Sequence, residues 1–469
     1  MTQLLHCKVP DGLSIEPTHS PMEAHAMDAQ HLVAGRWQNV SPSAPRQLYV
    51  AFKVAEVCNL ACGYCYFFEQ ADQSHSTAPR YMSDTVVEQS ARFLGLGAKA
   101  LGIPNVALAL HGGEPLMLGK KRFDRVCEIL KAGVTPHATL RLAVQTNGVL
   151  LDQEWIELFA HHDIAIGLSI DGSREIHDAA RPDKKGRGSF DRVVKALRLL
   201  QENESRGTIK KFGILSVIDP AMSCDDVYDF FFRELGAKSL YQRAPNLNWA
   251  DSSESTIAHV NHFMAAMFNR WAYEDDAVVQ IRHNIEALHP LLHDEGAFAR
   301  VTNILDLTQA ISIRSNGDVC PDDSLPPVSM RYRQLGTNVT NCSLETFYSL
   351  PIWNEINEAL GENGSECRTC EWFGLCGGGP AVTRYHEEDK FSKRSVFCAG
   401  YKRLYEASRE YVEQYLDPSD VRARMRLASE TLTRHADALN AGTPLSSDTD
   451  RASSVPSAAI LTHSSLLHA

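Results

Sequence analysis

Cys58, Cys62 and Cys65 stand in the run VCNLACGYCYFF, a C-x3-C-x2-C triplet directly after the strand-like stretch Leu48–Val54. Three thiolates this close can ligate three irons of a [4Fe–4S] cube and leave the fourth iron open. A fourth ligand would close the cluster, whereas three leave a position where a small molecule can chelate the metal. A structural zinc site is the competing reading, since zinc also takes closely spaced thiolates. Zinc motifs usually combine two C-x2-C or C-x2-H pairs, and no second pair lies near this triplet.

Such a site needs elements that hold it. Short apolar runs alternate with amphipathic stretches, which is the signature of βα units and a parallel sheet. The pattern predicts strands near Leu48–Val54, Val106–His111, Leu140–Gln145, Ala165–Ile170, Phe212–Ile218 and Ser239–Arg243. Helices are expected near Asp84–Leu101, Lys120–Lys131, Asp152–His161, Ser189–Glu204 and Cys224–Leu235, with Asp84 and Ser189 as N-caps. Six βα units are too few for a closed eight-stranded barrel but enough for a partial (β/α)6 TIM-like barrel, an α/β fold. Sites in such folds lie at the C-terminal ends of the strands. The cysteine triplet, His111-Gly112-Gly113-Glu114, Gln145-Thr146-Asn147 and Ser169-Ile170-Asp171 all follow predicted strands and would share one rim.

The remaining chain divides by composition. Residues 1–46 read as a polar arm, 47–253 as the barrel and 254–300 as a helical bridge. A loop-rich domain is expected over 301–400, helices over 401–439 and a disordered tail over 440–469. The 469 residues carry 46 basic and 58 acidic side chains, a net charge of −12, which argues against a nucleic-acid partner. No apolar run approaches the ~20 residues of a membrane span, and the N-terminus lacks a signal-peptide profile. Twelve cysteines without an export signal suggest metal ligation in a reducing compartment, so a cytoplasmic location is expected.

In order, the triplet, GGEP (Gly112, Gly113, Glu114), QTNG (Gln145–Gly148), SIDG (Ser169–Gly172) and HDAARPDKKGRGSF (His177–Phe190) resemble the radical S-adenosylmethionine (radical SAM) superfamily over about residues 48–245. The resemblance implies that the open iron binds the amino and carboxylate groups of SAM. Tyr64 and Tyr66, beside Cys65, would place a ring against adenine. Gly112 and Gly113 would let carbonyls approach the ligand, or else serve a turn needing glycine, and Glu114 would accept from the SAM amino group. Asn147 would contact ribose or methionine, and Ser169 and Arg181 would hold the SAM carboxylate.

Cys367, Cys370, Cys376 and Cys398 resemble the SPASM domain, the auxiliary-cluster module of radical SAM enzymes that modify peptides and proteins. They match one complete auxiliary [4Fe–4S] site, closed and suited to electron transfer, with zinc as the alternative. Pro380 stands where a two-cluster pattern has another cysteine; Asp322 occupies a further such position, with Cys320 two residues early. A second auxiliary cluster is therefore not expected, and Cys320 and Cys342 read as structural thiols. Cys7, Cys127 and Cys224 read as buried small hydrophobes.

CGGGPAVTRY, KRSVFCAGY and NGDVCPDDSL resemble the branch that matures ribosomally made peptides into three-residue cyclophanes. The implied reaction removes a side-chain hydrogen with a 5′-deoxyadenosyl radical and joins the carbon radical to an aromatic ring. Loss of a proton and an electron then restores aromaticity. Asp322 or Asp323 would take the proton; the alternative is that both are solvated turn residues after NGD. The implied partners are a precursor peptide and a flavodoxin- or ferredoxin-type electron donor. Sulfatase maturation to formylglycine, peptide epimerisation and thioether formation are alternatives on the same scaffold. Outside catalysis, the alternative is a metal-binding scaffold.

Overall fold

The computed structural model describes residues 47–69, 73–250, 253–274, 279–292, 310–353, 355–356 and 365–440; the expected N-terminal arm and the tail after Asn440 lie outside them. The six expected strands form as β1 (Gln47–Ala55), β2 (Asn105–Gly112), β3 (Thr139–Thr146), β4 (Ala165–Ser169), β5 (Phe212–Val217) and β6 (Ser239–Arg243). They pair in parallel in chain order, and a short β7 (Gln280–Ile281) extends that edge. Between them run α1 (Asp84–Ala100), α2 (Lys120–Val134), α3 (Gln153–His162), α4 (Arg174–Ala180), α5 (Phe190–Ser205) and α6 (Cys224–Tyr228).

β1 and β2 are near-continuously buried, as expected of strands covered on both faces. Val106, Leu108 and Leu110 alternate with Ala107 and Ala109 on β2. Large side chains pack on one face, and methyl groups leave room on the other.

Three local expectations are corrected. Ser83, not Asp84, caps α1, because its hydroxyl accepts from the Val86 amide. The helix expected over Cys224–Leu235 changes after Tyr228 to a wider-wound turn over Asp229–Glu234. Ser189 stands at the N-cap position of α5, but its hydroxyl donates to the Arg181 carbonyl instead of capping.

The C-terminal region begins with an insertion into the same sheet. β8 (Ala310–Ile313) pairs in parallel with β1 over Tyr49–Phe52, and β9 (Val319–Pro321) turns back antiparallel on β8. The sheet is thus nine-stranded, in the order β7-β6-β5-β4-β3-β2-β1-β8-β9. A buried ion pair fastens this addition: Arg314 donates to Glu56 through Nε at 2.8 Å and Nη2 at 2.5 Å, and also to Ser74 Oγ. Removing one partner of a buried pair leaves the other charge uncompensated. Arg314→Ala is therefore expected to lower stability by about 3–5 kcal/mol in urea unfolding, with Glu56→Ala/Arg314→Ala costing less than Arg314→Ala alone.

α7 (Glu254–Tyr273) precedes β7, and α8 (Arg282–Leu292), α9 (Leu344–Tyr348), α10 (Cys398–Val412) and α11 (Pro418–Asn440) follow it. Residues 365–397 are single turns and loops carrying three of the C-terminal cysteines. No helix among the described residues is long and apolar enough to cross a membrane.

Candidate functional site

The triplet lies on the loop leaving β1, at the C-terminal rim of the sheet. The Leu60 amide approaches Cys58 Sγ at 3.4 Å, and Asn147 Nδ2 donates to Asn59 Oδ1 at 2.8 Å beside it. Burial pushes the Cys58 thiol up to about 12 and Cys62 up to about 11, and each rise is increased by neighbouring triplet thiols. Metal ligation provides the charge that makes buried thiolates favourable. Among the described residues, the one group with three ligand atoms within 4.8 Å of one another is Asp124, His161 and His162, on α2 and α3.

Gly112 and Gly113 stand where the end of β2 runs hard against the chain entering the triplet. A Cβ on Gly112 would meet the Ala55 carbonyl at 2.1 Å, and one on Gly113 the Val57 carbonyl at 2.4 Å. The Gly113 and Glu114 amides donate to those carbonyls at 2.8 and 2.9 Å. The glycines thus clamp β2 to the chain entering the triplet, and Gly112 also needs its φ of 138°.

Glu114 is buried and accepts from the Leu116 amide, the Thr146 hydroxyl and the Asn147 amide at 3.1, 2.7 and 2.8 Å. Burial outweighs these bonds and raises its carboxyl from 4.5 to about 7. A carboxyl raised in the fold favours folding below the unfolded pKa, and that advantage is lost as pH rises towards about 7. Glu114→Gln mimics the neutral form. Relative to wild type, the variant should gain about 3 kcal/mol between pH 5 and pH 8 in urea unfolding.

The SIDG segment builds a second buried constellation. Arg181 pairs with Asp171 through Nε at 2.7 Å and Nη2 at 3.1 Å, and Tyr64 donates its hydroxyl to the same carboxylate. Burial would raise the Asp171 pKa, but Arg181 and these hydrogen bonds hold it below the ordinary range. The Asp171 amide donates to His177 Nδ1, so Nε2 carries the proton towards Ser189, whose hydroxyl donates to the Arg181 carbonyl. Burial lowers His177 to about 4 and keeps it neutral, as this relay requires. Ser169 accepts from Gln145 Nε2 at 2.8 Å. Tyr64 remains 37% exposed.

The third constellation lies where the chain leaving β9 reaches back to Lys53 on β1. Asp323 is 6% exposed; its Oδ2 receives the Tyr66 hydroxyl and lies 3.0 Å from Lys53 Nζ. Lys53 also sits 3.7 Å from the Phe67 ring centre. Burial works to raise the Asp323 pKa, but Lys53, His111 and the hydrogen bonds outweigh it. His111, paired with Lys53 in register, is lowered to about 4, chiefly by burial and then by Lys53. Asp322 is buried too, accepting from the Ser324 amide and hydroxyl at 2.8 and 2.7 Å. Neither aspartate is a solvated turn residue.

Cys367, Cys370, Cys376 and Cys398 come together from three loops and the start of α10: the charges of Cys398, Cys367 and Cys370 all raise Cys376. Burial is the larger cause there and takes Cys376 to about 12. Cys320 is sealed in β9 beside Arg333 Nη1 at 3.7 Å, and Cys342 donates to the Asn338 carbonyl. Cys127 and Cys224 are buried, and Cys7 lies outside the described residues.

Sequence motifs located the rim but not its supports. Lys53, His111, Asp171, His177 and Thr146 complete the constellations; all but Lys53 stood inside a recognised motif, but no role was read for any of the five.

The radical SAM superfamily model matches residues 52–219. A cysteine-type anaerobic sulfatase-maturating enzyme of Clostridium perfringens (strain 13 / Type A) is 26% identical over 363 residues, covering 74% of this chain and 92% of its own length. A serine-type counterpart from Bacteroides thetaiotaomicron is 26% identical over 396 residues, covering 79% and 91%. The fold is similar to native anSMEcpe with bound AdoMet and Cp18Cys peptide, at a TM-score of 0.66 and 23% identity over 79% and 99% of the chains. It is also similar to Streptococcus suis SuiB bound to precursor peptide SuiA, at 0.51 and 18% over 84% and 85%. The open cysteine triplet, its rim motifs in order and the parallel sheet agree with that match. Residues 52–219 are a radical SAM domain, and the protein is a radical SAM enzyme whose cofactors are SAM and iron–sulfur clusters.

Proposed function

We propose that this enzyme matures a ribosomally made peptide by joining an aromatic ring to the β-carbon of a nearby residue, a cyclophane-type C–C crosslink. The observation that carries this reading is the buried Asp322–Asp323 pair, beside Lys53 and Tyr66, where a ligand of a further cluster would otherwise stand. In this reading, Cys58, Cys62 and Cys65 hold the cluster, and Cys367, Cys370, Cys376 and Cys398 hold an auxiliary one. Bound SAM and the reduced cluster supply a 5′-deoxyadenosyl radical that removes one hydrogen atom from a substrate carbon.

Glu114 and Asn147 would orient the methionine and ribose parts of SAM from the β2 and β3 ends. Arg181, kept charged and aimed by Asp171, would receive the SAM carboxylate together with Ser169. Tyr64, with its exposed ring, is the better placed of the two tyrosines for adenine; Tyr66 instead fixes Asp323. Asp323 takes the ring proton. Lys53 and Tyr66 both engage Oδ2, which leaves Oδ1 for that proton. Reduction calls for an external one-electron donor of the flavodoxin or ferredoxin type.

Formylglycine formation is the second reading, favoured by the sulfatase-maturating relatives that align over 74–79% of the chain. The test is to incubate reconstituted enzyme, SAM and reductant with a precursor peptide carrying aromatic-x-x motifs, and separately with a Cys- or Ser-containing sulfatase peptide. A crosslink removes two hydrogens and suppresses fragmentation between the joined residues. An aldehyde captured by a hydrazide reagent, with the first peptide unchanged, would replace the crosslinking reading with formylglycine formation.

A further inference from the structure

Arg384 ends the single helical turn Ala381–Arg384, directly after CGGGP, and its side chain is fully buried. Nε donates to the Lys393 carbonyl at 3.0 Å, whereas Nη1 and Nη2 have no hydrogen-bond partner. The charges that act on the guanidinium are the sulfurs of Cys367 and Cys376, and no carboxylate is among them. Burial lowers Arg384 to about 10, against the pull of those two sulfurs, so it is protonated at neutral pH.

A buried guanidinium with four of its five N–H donors idle is costly unless an anion faces it. Arg314, equally buried, shows the ordinary solution, with Glu56 and Ser74 taking its fork. At Arg384 no carboxylate takes that place, and the sulfurs of Cys367 and Cys376 are the opposite charges near enough to act on it. A [4Fe–4S] cluster held by four thiolates is anionic and gains one further negative charge on reduction, so a fixed cation stabilises the reduced form more than the oxidised form. N–H donors to cluster sulfurs act in the same direction.

We propose that Arg384 is the counter-ion and N–H donor of an auxiliary cluster held by Cys367, Cys370, Cys376 and Cys398, and that it raises that cluster's reduction potential. The inference rests on the auxiliary-cluster reading above. The step concerned is a one-electron reduction: the cluster gains one electron and one negative charge, and no bond forms or breaks. With Arg384 in place, such a cluster would be the better acceptor for the electron left when the crosslinked ring loses its proton.

The test uses the full chain with Cys58, Cys62 and Cys65 replaced by Ala, so that a single cluster remains, and follows its reduction by EPR-monitored potentiometry. Absence of iron and sulfide from this background with Arg384 intact refutes the auxiliary cluster itself. With about four irons present, Arg384→Gln should lower the midpoint by at least the equivalent of a tenfold change in the oxidised-to-reduced ratio, about 59 mV for one electron. Arg384→Lys should keep most of the wild-type potential. An unchanged midpoint in iron-replete Arg384→Gln overturns the proposal. Should Arg384→Gln lose its iron, retention in Arg384→Lys supports the proposal, and loss from both overturns it, because a positive charge is then not what the site requires.

Discussion

Replacing any one of Cys58, Cys62 or Cys65 with Ala reduces 5′-deoxyadenosine release to the level of an enzyme-free control. Three thiolates define a cluster with one open iron, and two leave a second iron unprotected, so the SAM chelate loses its unique seat. The expected loss is complete because no other described thiol is placed to substitute: Cys127, Cys224 and Cys320 are buried elsewhere, half-buried Cys342 donates to the Asn338 carbonyl, and the other four form the C-terminal set. Iron analysis with Mössbauer spectroscopy should show about eight irons in the parent falling to about four in the triple-Ala variant. About twelve in the parent would mean that Cys320 and Cys342 ligate a further cluster, against their separate contacts with Arg333 and Asn338.

Asp323→Asn should uncouple radical formation from product. SAM cleavage continues, while modified peptide falls by about 10²–10⁴-fold, the usual contribution of a positioned base. Lys53 would then lack its counter-ion, so the variant also loses stability, and Lys53→Met/Asp323→Asn is the necessary companion. Recovery of product in that double variant would show that Asp323 is a counter-ion and not the base. The pH dependence has a definite sign. Because Asp323 lies below its ordinary 3.8, it stays deprotonated through the neutral and mildly acidic range. Its contribution to stability is present above the unfolded pKa and is lost as pH falls through the lower folded value. Activity limited by this base should therefore show no acid limb between pH 8 and pH 5.

Strands β1–β6 were legible within about two residues because each combines an apolar run with a polar turn motif at its end. Cysteine spacing was legible for the same reason: ligand sets are local in sequence. Pairings between distant segments were not. Nothing in Ala310–Ile313 says that it will lie beside β1 and not form its own small sheet. That single pairing decides the fate of Asp322 and Asp323, whose NGD context suggests a wet turn, because the chain leaving β9 then brings Asp323 onto Lys53 and Tyr66. The glycines of GGEP carry a constraint that their sequence does not state. Their close approach is to the Ala55 and Val57 carbonyls, a contact that only the fold reveals. Ser83 and Asp84 are both good caps, and the choice between them came down to which oxygen reached the Val86 amide.

The seating of β8 on β1 has a consequence for anyone dissecting this enzyme. The first strand of the radical SAM domain borrows its neighbour from more than 250 residues downstream. A fragment ending before Ala310 would bare the amides and carbonyls of Tyr49–Phe52 along a flat apolar edge. Such an edge recruits another copy of itself. The excised domain should therefore precipitate or pair with its own kind, whereas supplying residues 310–440 as a separate polypeptide should rescue it by strand complementation.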